Sequence, residues 1–156
     1  MARLDTIDRM ILATIQKNGR MTNIELSERV GISAPPCLRR LKCLEEANII
    51  AGYRAEINRE MLGYKILAIC LVSITSQSLK WVKHFVGIVE NSKNIRSCFS
   101  TVGGECFILT IVAKDLDEYN RVIKDEIQAC SIVASVKSFI LANEYKNEVG
   151  IPIDCS

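Results

Sequence analysis

The segment Ser33–Lys42 carries the side chains whose types and spacing best fit a chemical task. Arg39, Arg40 and Lys42 follow closely on Ser33 in the stretch SAPPCLRRLK. An arginine guanidinium presents a planar fork of donors that matches the acceptor edge of guanine, whereas a lysine ammonium suits a phosphate. A serine at a helix start can cap the helix and offer its hydroxyl to a phosphate. We therefore predict that these four residues bind DNA.

No other group of side chains points to catalysis, a metal or a cofactor. The seven cysteines are odd in number and include no C-x-x-C pair, and the single histidine, His84, leaves a zinc site without its second half. No glycine-rich phosphate loop, nucleophile elbow or catalytic pair of carboxylates occurs. We expect no catalytic residue, no metal site, no cofactor and no enzymatic activity.

The composition is typical of a folded, soluble protein. Of 156 residues, 49% are hydrophobic and 24% are charged, which is enough for one ordinary domain or two small ones with packed cores. The net charge is only +2, so DNA binding requires basic residues concentrated on one face. The N-terminus lacks the apolar core of a signal peptide, and the longest apolar run, around residues 66–72, is too short to span a bilayer. These features predict a cytoplasmic protein with no membrane partner.

Three short helices are predicted in the first 50 residues. The first begins at the cap Asp5 and ends at Asn18-Gly19, where we expect the glycine to be left-handed. The second begins at the capping box Thr22–Glu25 and ends at Gly31. Apolar residues recur at helical spacing on the first and third helices: Ile7, Ile11, Leu12 and Ile15, then Cys37, Leu38, Leu41 and Leu44.

The third predicted helix positions the basic segment. With Ser33 as its cap, Pro35 and Pro36 fall in the first turn, where a missing N–H group costs little. Arg39 lies opposite the apolar face, and Arg40 and Lys42 flank it on either side. A short helix, a tight turn and a second helix with a basic face predict a helix-turn-helix over about residues 23–42. An ordinary three-helix bundle with solvated arginines remains the alternative.

The remaining residues predict a linker and a second domain. Residues 51–63 form a strand or an extended hinge after the helical domain of residues 1–50. From Tyr64 the order is strand, helix, strand, strand, helix, strand, with Gly103-Gly104 as the hairpin turn and a capping box at Asp115 and Glu118. The fold class is therefore α+β: a winged-helix-like helix-turn-helix domain joined to a ferredoxin-like βαββαβ domain over residues 64–156. The predicted strands are residues 64–75, 95–102, 105–113 and 132–145, and the helices are residues 78–91 and one bearing Leu116, Tyr119, Val122, Ile123 and Ile127.

One predicted strand is apolar on both faces. Leu67, Ile69 and Leu71 alternate with residues expected to face the helices. Two helices cover only one face of such a sheet, so the other face requires a second layer. An identical sheet from a partner chain supplies that layer most simply, which predicts a two-fold homodimer.

The segments LDTIDRMIL, NGRMTNIELSERVGIS, APPCLRRLKCLEEANII and AGYRAEI resemble the DNA-binding half of the Lrp/AsnC (leucine-responsive and asparagine-synthase) regulators. The resemblance extends through the βαββαβ part to SVKSFILANEYK and covers nearly the whole chain. It implies a transcriptional regulator of amino-acid metabolism that binds double-stranded DNA, forms dimers and assembles further into octamers. It also implies a free amino acid as effector. By similarity, Ser33, Arg40 and Lys42 occupy DNA-contacting positions.

The implied effector residues depart in part from the family pattern. By similarity they are Thr101, Gly103, Gly104, Glu105 and Ser138. Cys106 stands where the family has aspartate at the end of the hairpin motif, and Val136 replaces a usual hydroxyl residue. In the DNA-binding half, Cys43 replaces a basic residue and Asn48 a glycine. The alternative interpretation is that Gly103-Gly104 forms only a tight turn and does not bind an effector.

Two other functions remain as alternatives. The first is an enzyme of the sirohaem-type tetrapyrrole decarboxylase class, which resembles this fold, although His84 alone gives it little support. The second is a regulator that has lost effector binding, consistent with the altered hairpin. Binding of a porphyrin, or the lack of a response to any amino acid, distinguishes these alternatives.

Overall fold

A computed structural model describes residues 4–75, 78–102, 106–147 and 150–155 of the chain. The residues group into two compact units, Met1–Glu56 with Lys146–Ser156, and Ile57–Tyr145. The segment Lys146–Ser156, which the sequence prediction assigns to the second domain, is thus grouped with the helices. The C-terminal segment groups with the helices because the Gln16 side-chain amide exchanges two hydrogen bonds with the backbone of Ile151, at 2.8 and 3.1 Å.

The first unit contains three helices: α1 (Thr6–Lys17), α2 (Asn23–Val30) and α3 (Ala34–Glu46). Asp5 caps α1, and the predicted capping box of Thr22 and Glu25 opens α2. Gly31 ends α2 with a left-handed φ of 74°. The core of this unit consists of Ile11, Leu26, Val30, Cys37 and Leu44.

Two details of the first unit differ from the sequence predictions. Gly19 does not adopt a left-handed backbone; a Cβ there would lie 3.1 Å from Cδ1 of Tyr53, a close contact that would push the ring by a few tenths of an ångström. Leu38 is 41% exposed, because the buried stripe of α3 runs through Cys37, Leu41 and Leu44 instead. Asn48 adopts the left-handed conformation with φ of 54°, as expected of a residue replacing glycine.

The second unit is a four-stranded antiparallel sheet with the strand order β2-β3-β1-β4. The strands are β1 (Ile66–Ile74), β2 (Ile95–Ser100), β3 (Cys106–Ala113) and β4 (Val133–Ile140). Helix α4 (Leu79–Asn91) links β1 to β2, and α5 (Leu116–Arg121) links β3 to β4. This order confirms the βαββαβ prediction. Residues 51–57 form neither a helix nor a strand, and the last strand is shorter than the predicted range of residues 132–145.

The second predicted helix of this unit is irregular. After α5 the chain continues as a π-helix, Val122–Gln128, in which the N–H group of Ala129 donates to the carbonyl of Lys124. Its wider turn keeps Val122, Ile123 and Ile127 on the buried side. Leu116, which the periodicity placed on the apolar stripe, is 53% exposed.

The two faces of the sheet differ in how they are covered. Ala68, Cys70, Val72 and Ile74 of β1 are fully or almost fully buried beneath the helices. The opposite face, which we call the open face, stays partly exposed in the single chain. It includes Leu67, Ile69 and Leu71 of β1, Ile108, Thr110 and Val112 of β3, Phe99 of β2, and Lys137 and Phe139 of β4.

We expect the substitution Gly31→Ala to lower the free energy of unfolding by about 1–2 kcal/mol, because a Cβ is disfavoured in the left-handed conformation. Apart from the two chain neighbours, no atom of the described residues lies within 4 Å of the added Cβ, so the effect reports backbone strain and not a clash. Urea denaturation followed by circular dichroism measures it. The matched control is Gly87→Ala within α4, where the space is also open and φ is not positive. There alanine should raise stability by up to about 1 kcal/mol, and an equal loss for both variants would contradict the prediction.

Candidate DNA-binding surface

Helices α2 and α3 are fixed to each other across the Gly31 turn. The N–H group of Ile32 donates to the carbonyl of Ser27 at 3.1 Å, which closes the C-terminus of α2. The side-chain amide of Asn23 donates to the carbonyl of Ala34 at 2.9 Å and so ties the two helix starts together. The orientation of α3 therefore depends on polar contacts as well as on the apolar core.

Ser33 occupies the N-cap position of α3, but its side chain makes no capping hydrogen bond. An N-cap hydroxyl accepts from the N–H group of the second or third helical residue. Those residues are Pro35 and Pro36, which have no N–H group. The two prolines set the backbone of the first turn, as predicted. Because they offer no N–H group, the Ser33 hydroxyl does not cap the helix.

The exposed side of α3 carries two of the four predicted DNA-binding residues. Arg39 and Lys42 are exposed, with Cys43 beside them. Neither cation forms an ion pair with any of the described residues. Arg39, Arg40 and Cys43 also line a cavity of about 300 Å³ that reaches Leu4, which precedes α1, and Asp8 in the first turn of α1.

Arg40 is placed differently from the sequence prediction. The sequence predicts a free, exposed guanidinium, but Nη1 of Arg40 donates to Asp5 Oδ2 and to Asp8 Oδ1, both at 2.7 Å. Only 33% of the side chain is exposed. The position four residues before the buried Leu44 turns Arg40 toward the start of α1, where two carboxylates lie within reach.

The contacts around Arg40 shift the ionisation of the groups involved. Hydrogen bonds from the guanidinium to Asp8 and Asp5 raise the pKa of Arg40. The pKa of Asp5 is lowered, chiefly because the Asp8 backbone N–H group donates to its carboxylate, with further contributions from Arg40. Glu25 has a lowered pKa for a similar reason, since its carboxylate accepts the backbone N–H group of Thr22.

These lowered values predict acid lability. A carboxyl group whose folded pKa lies below its unfolded pKa stabilises the fold above the unfolded value and loses that effect as pH falls through the folded value. The ordinary pKa values are 3.8 for Asp5 and 4.5 for Glu25, so we expect stability to decline as pH falls below that range. Thermal unfolding between about pH 7 and about pH 2.5 measures the decline. The variant Asp5→Asn should show a shallower acid dependence, and an unchanged dependence would contradict the assignment to Asp5.

The predicted effector residues are only partly described by the structure. Gly103, Gly104 and Glu105 lie outside the described residues. Thr101 follows β2 directly, whereas Ser138 lies in β4, so two strands separate them. Three strand spacings amount to about 14 Å. One chain therefore does not bring Thr101 and Ser138 into a single pocket.

Ser138 belongs to a small polar group beneath the sheet. Its Oγ lies 3.6 Å from Sγ of Cys70, and that thiol lies 3.2 Å from the hydroxyl of Tyr119. Burial, followed by the hydrogen bond with Cys70, raises the pKa of Tyr119 to about 12. Val136, two residues earlier on the same face, packs against the apolar core. The Val136 position thus contributes an apolar contact in place of a hydroxyl group.

Sequence reasoning missed two residues that organise the candidate surface. Asp8 was not recognised as a partner of Arg40, and Asn23 was not recognised as the link between the helix starts. An acidic residue three positions after the cap Asp5 was a usable signal for the second half of a capping box. The ion pair with Arg40 has no local signal, because 32 positions separate the two residues.

Comparisons with known proteins follow the division into two units. Residues 4–51 match the family model described as winged helix-turn-helix DNA-binding, and residues 67–151 match the Lrp/AsnC ligand binding domain. The leucine-responsive regulatory protein of Rhizobium meliloti is 39% identical over 150 residues, 96% of each chain. The chain belongs to the Lrp/AsnC family of transcriptional regulators. This membership confirms the predicted family, the fold class and the regulatory, non-enzymatic function.

Other relatives of this Lrp/AsnC regulator agree over nearly its full length. The proline dehydrogenase transcriptional activator of Rhizobium radiobacter is 32% identical, covering 95% of this chain and 94% of its own. A crystal structure of a transcriptional regulator from Neisseria meningitidis in complex with L-Met superposes with a TM-score of 0.93. It is 33% identical and covers 97% of this chain and 98% of its own. Among the described residues of the Lrp/AsnC regulator, none of the helices combines the length and the apolar character that a membrane span requires. Nor do three or more potential metal-ligating side chains cluster there.

Proposed function

We propose that the protein recognises specific sequences in double-stranded DNA through the exposed side of α3. The observation that carries the proposal is the pair Arg39 and Lys42, which are exposed and unpaired among the described residues on a helix whose opposite side is buried. Arg39 is the base-reading residue, because a guanidinium discriminates guanine by two hydrogen bonds. Lys42 and the hydroxyl of Ser33 contact phosphates. Arg40, the fourth predicted residue, supports this surface from the side of α1.

The protein acts as a homodimer formed through the open face of the sheet. The open face has an apolar centre at Leu67, Ile69 and Leu71 and includes Phe99 and Phe139, which are 62% and 45% exposed in the single chain. Burial of such a face against an identical copy removes apolar surface from water on both chains. A dimer presents two α3 helices to two half-sites, about one helical turn of DNA apart or a multiple of it. Further assembly of dimers to an octamer is measurable by analytical ultracentrifugation.

A free amino acid regulates the protein, and its site is completed by more than one chain. Thr101 and Ser138 lie toward opposite edges of one sheet. A pocket lined by both residues therefore takes Thr101 from one chain and Ser138 from another. L-Methionine is the first amino acid to test, because the Neisseria meningitidis relative was crystallised with L-Met. The names of the relatives, which include a proline dehydrogenase activator, support target genes in amino-acid metabolism.

Selection of genomic fragments by the purified protein, with and without each amino acid, tests this function. We expect enrichment of a limited set of sequences that share two related half-sites. We also expect methionine or another amino acid to change the affinity or the oligomeric state. Enrichment that no amino acid alters would favour a regulator without an effector. Retention of all fragments alike would overturn sequence-specific binding.

A further inference from the structure

Asp5 and Asp8 each use their two carboxylate oxygens for different tasks. Asp5 Oδ1 accepts the N–H group of Asp8 at 2.8 Å, and Asp8 Oδ2 accepts the N–H group of Asp5 at 3.3 Å, which completes the capping box of α1. The remaining oxygens, Asp5 Oδ2 and Asp8 Oδ1, both accept from Nη1 of Arg40. The start of α1 and the middle of α3 are thereby joined in one network, which we call the Arg40 clamp.

The charges of the Arg40 clamp do not favour direct contact with a phosphate. Two carboxylates surround one guanidinium, so the formal charge of the three side chains is −1. An approaching phosphate meets repulsion from Asp5 and Asp8 as well as attraction to Arg40. Both N–H groups of Nη1 are also occupied by the carboxylates. Arg40 is therefore better placed to fix α3 than to add affinity for DNA.

The clamp determines which way α3 presents its cations. Arg40 precedes Leu44, the buried anchor of α3, by one helical turn, and it directly follows Arg39 in the sequence. A contact that holds Arg40 against α1 limits the rotation of α3 about its own axis. Adjacent helical residues point about 100° apart, so the same contact fixes the direction of Arg39. A base-reading side chain requires such a fixed direction, because its two hydrogen bonds are directional.

We propose that Asp5 and Asp8 are positioning residues that act through Arg40 to orient α3, and that they increase discrimination between DNA sequences without increasing overall affinity. The inference rests on the proposed DNA contact by Arg39. It assigns Arg40 to the same positioning network, in place of the base contact expected from the sequence.

The test measures two dissociation constants for each variant, one for the most enriched genomic duplex and one for a scrambled duplex of the same length. Their ratio is the discrimination of that variant. The variants are Arg40→Ala, the double variant Asp5→Asn with Asp8→Asn, and the combination of all three. Asparagine is as good an N-cap as aspartate, so the double variant retains a helix cap while it loses the charges that hold Arg40. Circular dichroism melts identify the temperature range in which every variant is folded.

We expect Arg40→Ala and the double variant to lose discrimination by a similar factor, about tenfold, which is within the contribution of one base contact. Affinity for the scrambled duplex should change in opposite directions, weaker for Arg40→Ala and stronger for the double variant, because the first removes a positive charge and the second removes two negative charges. The triple variant should lose no more discrimination than either parent, since all three residues act in one network.

The matched control is Glu25→Gln, which alters the capping box of α2, where no interhelical arginine is involved. It should leave the discrimination unchanged. If the double variant retains full discrimination while Arg40→Ala loses it, Arg40 contacts DNA directly and the positioning role is wrong. If all variants retain full discrimination, the positioning role of the Arg40 clamp is wrong, whereas the proposed DNA contact by Arg39 is unaffected. If the wild-type protein does not discriminate, the proposed DNA contacts fail together with the clamp.

Discussion

Replacement of Ile69 by aspartate is expected to dissociate the proposed dimer, so that the variant is a monomer at micromolar concentration. Ile69 lies at the middle of β1 on the open face, between Thr110 of β3 and Phe139 of β4 in the strand register. A carboxylate there would lose its hydration between the two sheets, which costs several kcal/mol. Lys137 lies on the same face, with its ammonium 5.3 Å from the centre of the Phe139 ring, but to pair with the new carboxylate it would have to be desolvated as well. Analytical ultracentrifugation of the variant and the wild-type protein measures the change.

The same substitution should weaken binding to the selected genomic duplex by roughly a hundredfold or more. A monomer engages one half-site and loses the high effective concentration of the second α3 helix. The matched control is Leu116→Asp, which places the same charge at an exposed apolar position near the start of α5, away from the open face. An acidic residue in the first turn of a helix is tolerated, so this variant should remain dimeric. A wild-type monomer, or a dimeric Ile69→Asp variant, would exclude the open face as the dimer interface.

The second large effect is expected for Arg39→Ala. Loss of a two-hydrogen-bond contact with a base costs about 1–3 kcal/mol, so affinity for the selected duplex should fall about 5- to 150-fold. Affinity for a scrambled duplex should fall much less. Fluorescence anisotropy titrations at several salt concentrations separate the two effects.

Lys42→Ala provides the contrast to Arg39→Ala. As a phosphate contact, Lys42 should contribute equally to the affinity for both duplexes. Its removal should reduce the slope of log affinity against log salt concentration by about one. Arg121→Ala, a change of the same charge in α5, should alter neither property. An equal loss on both duplexes for Arg39→Ala would reassign Arg39 to the DNA backbone.

Local signals account for the parts of the fold that could be predicted from sequence. The Thr22–Glu25 capping box and the Gly31 turn were predictable because their partners lie within a few residues of each other. The order of strands and helices along the second unit followed from the alternation of strand-like and helix-like apolar periodicity. The exposed positions of Arg39 and Lys42 followed from helical periodicity.

The features that could not be predicted depend on contacts between distant residues. Periodicity places Arg40 beside an exposed face and gives no information about carboxylates 32 and 35 positions away, so the sequence indicates a free guanidinium. Periodicity also assigns Leu38 to the buried stripe, although the true stripe is narrower. The contact between Gln16 and Ile151 spans 135 positions, and no local pattern marks it. Such contacts are decided by packing, which a single sequence does not reveal.

The grouping of residues near both ends of the chain in the helical unit makes the sheet unit an insertion within it. A shortened chain that stops after the linker would lack Ile151 and leave the amide of Gln16 without its backbone partner. A single cut after the linker therefore removes a segment that hydrogen-bonds to the helical unit, whereas a spliced chain that omits residues 57–145 keeps that segment.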